Sequence, residues 1–397
     1  MSLDVLRGAA ILMVLVCHSA VLSVPTWDID LWRPCWSGVD LFFVISGFLI
    51  SGLLFAEFKK MGNIRFPRFA VRRALKLYPA FYVVVLITIA VRLEQHRYYV
   101  WRQALHDLLF VQSYFLGTWG HFWSLSVEEH FYILLPLLMY CLIRFSKSNQ
   151  TNPFRAIPTI FAILGPAILI LRLWTAQHML YSLETNSFPT HLRIDSLFFG
   201  VVISYFYQFH EARFTDIVNR WRLWIFASSL ALLAPMFFIG QYDRWMYTYG
   251  FSCLYLGYGL LLIGMVQLPL DVAPKPLYSA LGALAYIGTF SYSIYLWHGF
   301  ASTLASWVPS RFVHARLVSF YVGAILIGVI TSKLLELPVL RFRDYIFPSS
   351  VSPVRVSTPV AAAKFIEENI VRGRPEDPVN LDCHPSAAEA NSGILIR

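Results

Sequence analysis

Ten stretches of about twenty predominantly apolar residues follow one another along this chain. They lie near 3–24, 37–56, 77–93, 122–143, 156–175, 192–208, 223–240, 248–268, 281–302 and 317–337. A helix needs about that length to cross the hydrocarbon core of a bilayer. The expected fold is therefore all-α, a polytopic transmembrane helix bundle of about ten spans covering residues 1–343. Composition agrees: 57% of the 397 residues are hydrophobic and only 14% are charged, against about 25% charged in soluble domains.

An even number of spans puts both termini on one side. With the N-terminus inside, the inner loops hold most of the basic residues, from Lys59 and Lys60 through Arg65, Arg68, Arg72, Arg73 and Lys76 to Arg144, Lys147, Arg220 and Arg222. The outer loops hold few, among them Arg33, Arg97 and Arg311. The positive-inside rule then makes both termini cytoplasmic. It also accounts for the net charge of +9 without a nucleic-acid partner. The first apolar run contains Arg7 and His18 and has no basic stretch before it, so it reads as a working helix and not as an export signal. The five cysteines are scattered, with no disulfide framework and no metal-ligand spacing. Residues 344–397 turn polar and rich in Pro, Ser and Glu, and are expected to form a disordered cytoplasmic tail.

Ionisable side chains inside spans cost at least ~2.5–3.5 kcal/mol each on insertion scales, so those retained are the best functional clues. Arg7 and His18 are eleven residues apart, about three helical turns, so they share a face roughly 16 Å apart. A neutral imidazole at depth is suited to accepting a proton. Asp40 opens the second span within Gly38–Leu49, where Ser46 and Gly47 permit close helix approach; the helix dipole alone also favours an acid there. Glu128 and Glu129 are adjacent and point about 100° apart, so at most one faces a given site. Arg193 and Asp195 are two apart and cannot face each other on a helix, which predicts a separate partner, most simply an ion pair, for each. Arg68, Arg72 and Lys76 recur at four-residue spacing with Arg73 beside them. That basic face fits acidic headgroups or the phosphates of a soluble ligand. His298, in Tyr292–His298, reads as a core or interface residue.

Taken together, these segments resemble the membrane-bound acyltransferase 3 family, whose members acylate sugars and other acceptors. Leu3–Gly8 followed by His18 resembles its Arg-x10-His motif. Gly38–Leu49 resembles its second-helix signature, and Phe69–Pro79 its Arg-x-x-Arg region. Trp123–Tyr132, Arg193–Gly200 and Tyr292–His298 match in order. The resemblance spans about residues 3–343. Lys76 stands where the family has the second Arg, keeping the charge without the bidentate geometry. His130 stands where Gln is common. No SGNH hydrolase-like domain follows the membrane core, which implies a stand-alone version.

The resemblance implies a multi-pass enzyme of the inner membrane. It would transfer an acyl group, acetyl in the commonest case, from cytoplasmic acyl-CoA to a hydroxyl of a sugar or lipid-linked acceptor, with no permanently bound cofactor. Arg72, Arg73 and Lys76 would hold the donor. His18 would act as base, oriented by Glu128 or Asp40, with Arg7 positioning the donor. The alternative from another class is a proton-coupled transporter or channel, since intramembrane His, Asp and Glu also build proton relays. A scarcity of broken helices near the midplane is expected to count against it.

Overall fold

The computed structural model describes residues 1–22, 30–96, 100–146, 152–268, 270 and 273–348. All regular structure among them is helical. The principal helices are α1 (Ser2–Ser19), α2 (Gly38–Met61), α3 (Phe66–Glu94), α4 (Val100–Leu108), α5 (Trp123–Arg144), α6 (Ile157–His178), α7 (Ile194–Phe209), α8 (Glu211–Leu233), α9 (Phe251–Val266), α10 (Lys275–Thr289), α11 (Ser291–Ser306), α12 (Val313–Thr331) and α13 (Leu337–Ile346). Eight helical segments of the described residues are long and apolar enough to cross a membrane. α7, interrupted at its start by Arg193 and Asp195, is shorter at 16 residues.

Three departures from the sequence reading bear on the site. The predicted span 281–302 is not one helix, because α10 and α11 meet at Phe290 (φ −101°, ψ 7°). The expected scarcity of broken helices therefore does not hold here. The predicted span 317–337 runs on through a π-turn at Ser332–Glu336 into α13. Residues 344–346 thus belong to a helix and not to a tail, while 349–397 lie outside the described residues. The first span ends as α-helix at Ser19 and continues as a 3-10 turn, Ala20–Leu22. Val24, Arg97 and Lys147, used in the topology argument, also fall outside the described residues.

Glycine sets the closest approaches. A Cβ on Gly47 would lie 1.9 Å from the Leu197 carbonyl oxygen, and one on Gly200 2.2 Å from that of Val44. Both are impossible contacts, so α2 and α7 meet backbone to backbone, as small residues allow in membrane bundles. α2 stops at Gly62 (φ 68°), whose N–H closes on the Phe58 carbonyl, with Lys59 and Lys60 in the last turn. Cations at a helix C-terminus oppose the dipole favourably. α3 begins at Phe66, carries Arg68, Arg72, Arg73 and Lys76 in its first turns and becomes apolar from Leu77, burying Phe81, Val84 and Val85. Aromatic and aliphatic side chains from α2, α5 and α7, among them Phe43, Phe55, Phe131 and Val201, fill the space between.

Candidate active site

A cavity of about 410 Å³ runs down one side of α2. Val39, Phe42, Ser46, Leu49, Leu53 and Glu57 line it at three- and four-residue spacing, the signature of one helix face. Val39 to Glu57 is eighteen residues, or about 27 Å of helix, comparable to a hydrocarbon core. One end is basic. Arg7, Arg68, Arg72, Arg73, Lys76 and Arg343 line the cavity there against three carboxylates, Glu57, Glu128 and Asp344. The basic start of α3 and Arg7 of α1 thus share one chamber. The other end is bounded by Ser124, Leu125 and Tyr295.

Glu128 lines the cavity beside Arg73. It accepts from Ser46 Oγ at 3.1 Å and from the Tyr132 hydroxyl at 2.5 Å, with Arg73 at 3.9 Å. The Arg73 guanidinium lies 4.0 Å from the Tyr132 ring centre. Its buried Nε has no partner among the described residues. A buried donor without an acceptor is costly, and Arg193 Nε is left in the same state. Glu129 faces elsewhere, as the 100° offset requires. It is buried and accepts from the Tyr78 hydroxyl at 3.1 Å.

Beyond Tyr295 lie three imidazoles. The ring centres of His18 and His298 are 4.7 Å apart, those of His121 and His298 4.2 Å, and those of His18 and His121 6.0 Å. His18 Nδ1 is 2.9 Å from the Val14 carbonyl oxygen, and His298 Nδ1 is 2.7 Å from that of Tyr295. A carbonyl only accepts, so both Nδ1 atoms carry the hydrogen and both Nε2 atoms keep the lone pair. The Nε2 atoms of His121 and His298 are buried and unpartnered among the described residues. Tyr295 links cavity to cluster. Its hydroxyl donates to the His121 carbonyl at 2.5 Å and is 2.6 Å from Ser124 Oγ. Its ring centre is 5.4 Å from His121 and 5.7 Å from His298.

These positions revise two expectations. Neither Asp40 nor Glu128 orients His18, because the Val14 carbonyl already holds its Nδ1. Asp40 instead pairs with Arg193, whose guanidinium lies 3.7 Å from the centre of the Phe251 ring. His298, expected as core, is buried but in contact with the His18 and His121 rings. Arg193 and Asp195 do have separate partners: Arg172 grips both oxygens of Asp195 at 2.5 Å. His130 is 2.7 Å from Thr190 Oγ1, away from the cavity. His121, Arg172 and Arg343 escaped the sequence reading. A lone Arg inside the apolar run 156–175 was a visible signal for the second. His121 had only its place three residues before Ser124.

A multi-pass helix bundle thus encloses a cavity that is basic at one end and bounded at the other by Tyr295, which contacts the histidine cluster. The sequence signature of the acyltransferase domain family matches residues 2–334, and the chain belongs to that family, acyltransferase 3. Among curated relatives it is 27% identical over 338 residues to O-acetyltransferase OatA of Staphylococcus aureus strain NCTC 8325, covering 78% of this chain and 54% of that protein. It is 28% identical over 338 residues to the putative O-acetyltransferase SACOL0978 of Staphylococcus aureus strain COL, covering 79% and 52%. The chain thus spans about half the length of the curated relatives it matches. No solved structure matches it.

Proposed function

We propose that the chain is an O-acyltransferase of the inner membrane that moves an acyl group, acetyl by analogy with its relatives' names, from cytoplasmic acyl-CoA to a hydroxyl of a carbohydrate or lipid-linked acceptor. The observation that carries this reading is the cavity itself, with six cations against three carboxylates toward one end and, at the other, Tyr295, whose hydroxyl and ring contact the histidine cluster. A donor with phosphates at one end and a thioester at the other matches that polarity. The positive-inside rule sets the basic mouth in the cytoplasm.

Arg73, Lys76 and Arg7, which line the basic end together, bind the donor's pyrophosphate. The thioester arm runs along α2 toward Ser124 and Tyr295. His18 Nε2 removes the proton from the acceptor hydroxyl as its oxygen attacks the thioester carbonyl carbon. The C–S bond breaks, and the leaving thiolate takes the proton back from the imidazolium. The carbonyl of Val14 holds the tautomer that makes Nε2 the base, a task a carboxylate performs in other sites. His298 and His121 surround His18 with neutral rings and no counter-charge, so the imidazolium is short-lived and the proton moves on.

The test is incubation of purified protein with radiolabelled acetyl-CoA and envelope glycans. Label in a glycan product supports the reading, and folded protein that transfers none contradicts it. The helix break at Phe290, where Ser291 and Tyr292 line the cavity, favours a transporter as the second reading. Substrate uptake into proteoliposomes without acyl transfer would establish that one instead.

A further inference from the structure

The mouth of the cavity carries a contact that the transfer reaction does not use. Asp344 and Arg343 are neighbours on the last turn of α13, and both line the cavity with Arg68 and Arg72. A single oxygen of Asp344, Oδ1, accepts from Arg72 NH2 at 3.0 Å, from Arg343 Nε at 3.0 Å and from Arg343 NH2 at 2.8 Å. Arg72 NH1 donates to the Phe347 carbonyl just past the end of the same helix. Asp344 remains half exposed, at 51%.

One anionic oxygen bridging two guanidiniums is how arginine pairs take a phosphate oxygen. The geometry points to a rim subsite, formed by Arg72 and Arg343, for the terminal phosphate of the donor, in which the Asp344 carboxylate occupies the phosphate position and competes for it. This rests on acyl-CoA being the donor. Such a donor carries its ribose phosphate at the end farthest from the thioester. If the thioester lies toward Ser124 and Tyr295, that phosphate lies at the mouth. The deeper cations, Arg73, Lys76 and Arg7, then serve the pyrophosphate. Asp344 sets affinity without touching the reacting atoms. It lets the site discriminate a dianionic phosphate, which outcompetes a single carboxylate, from weaker anions.

The sign of the effect separates this role from a structural one. Asp344→Asn removes the competing charge and keeps the shape, so it should tighten CoA binding, and damage to the fold does not tighten a ligand. Binding of radiolabelled CoA is measured with the full chain in phosphatidylcholine nanodiscs, which hold no acidic lipid to take the site. Exposed pairs of this kind are individually weak, so the expected gain for Asp344→Asn is about three- to tenfold in Kd. Arg343→Gln should loosen CoA by about tenfold. With 3′-dephospho-CoA both substitutions should change Kd by less than about twofold, because the phosphate they serve is gone. An Asp344→Asn protein that binds CoA no more tightly than wild type overturns the inference and leaves the donor reading intact. Equal gains with CoA and its dephospho analogue overturn the assignment to the terminal phosphate. A wild-type protein that does not bind CoA removes the donor reading and this inference together.

Discussion

Two regions of the bundle bury arginines, and they do it in opposite ways. Around α7, Arg172 and Arg193 each meet one carboxylate, Asp195 and Asp40, and the four charges cancel. Along α2 and α3 the cavity gathers six cations and three carboxylates. The first arrangement balances its charge within the protein, although Arg193 Nε and Asp40 Oδ2 stay buried without a hydrogen-bond partner among the described residues. The second has a surplus of positive charge facing open space. Charge balance therefore separates the arginines that tie helices together from those that, on the proposed function, hold the donor.

Breaking a closed pair has the largest expected effect. Asp195→Ala leaves the Arg172 guanidinium buried without its carboxylate, which costs about 3–5 kcal/mol of stability. The measurement is the melting temperature in detergent, together with expression level. Replacing both partners with apolar residues of similar volume, Arg172→Met with Asp195→Leu, should recover most of that loss. Full stability of Asp195→Ala alone would erase the distinction between the two regions.

A smaller effect lies at the histidine cluster. His298 touches His18 and is not among the residues that line the cavity. His298→Gln should lower kcat about tenfold, short of the hundredfold or more expected for loss of a general base itself, with donor KM unchanged. A rise in KM with unchanged kcat would place His298 in the donor path instead.

The smallest is a pH effect at the far end of the bundle. Asp107 of the short helix α4 is buried. Its Oδ2 accepts from the Thr118 N–H at 2.9 Å and the Thr118 hydroxyl at 2.5 Å. The next residue, Trp119, donates to Thr88 at 2.8 Å, and its ring centre is 5.9 Å from His121. Burial pushes the Asp107 carboxyl up to about 6 from 3.8, against the opposing Thr118 hydrogen bonds and the nearby His106 and Arg92. The folded state therefore holds this proton where the unfolded chain has lost it. Stability contributed by the protonated form is full below 3.8, declines as pH rises, and is gone above about 6. Asp107→Asn should remove that slope from the thermal stability profile. An unchanged slope would assign it to another group.

Much of this was legible in the sequence, and the reason differs by residue. Arg7, Arg72, Arg73, Lys76 and Glu128 stood out because charge within or beside an apolar run is costly, and all five line one cavity. The separate partners of Arg193 and Asp195 followed from helical geometry alone. The identity of those partners did not, because Asp40 lies 153 residues from Arg193 in the chain. The break at Phe290 left no mark, since neither proline nor glycine stands at that position. His121 and His298 come from different helices, and no periodicity within one segment reveals rings that meet across three. Arg343 and Asp344 fell at the edge of the apolar pattern, where a helix that continues past its membrane-facing residues looks like the start of a tail.

On the proposed function, phosphates are held at the basic end of the cavity and the chemistry takes place at the histidines beyond Tyr295. The direct measurement is acyl-CoA affinity and single-turnover transfer rate for Arg73→Ala and His18→Ala, side by side at matched expression. Arg73→Ala should weaken donor binding about ten- to a hundredfold, with much of the rate restored at saturating donor. His18→Ala should bind donor as wild type does, with the transfer rate down about a hundredfold or more at every donor concentration. Two variants that lose binding and rate in the same proportion, or a His18→Ala protein that still transfers, would contradict the account.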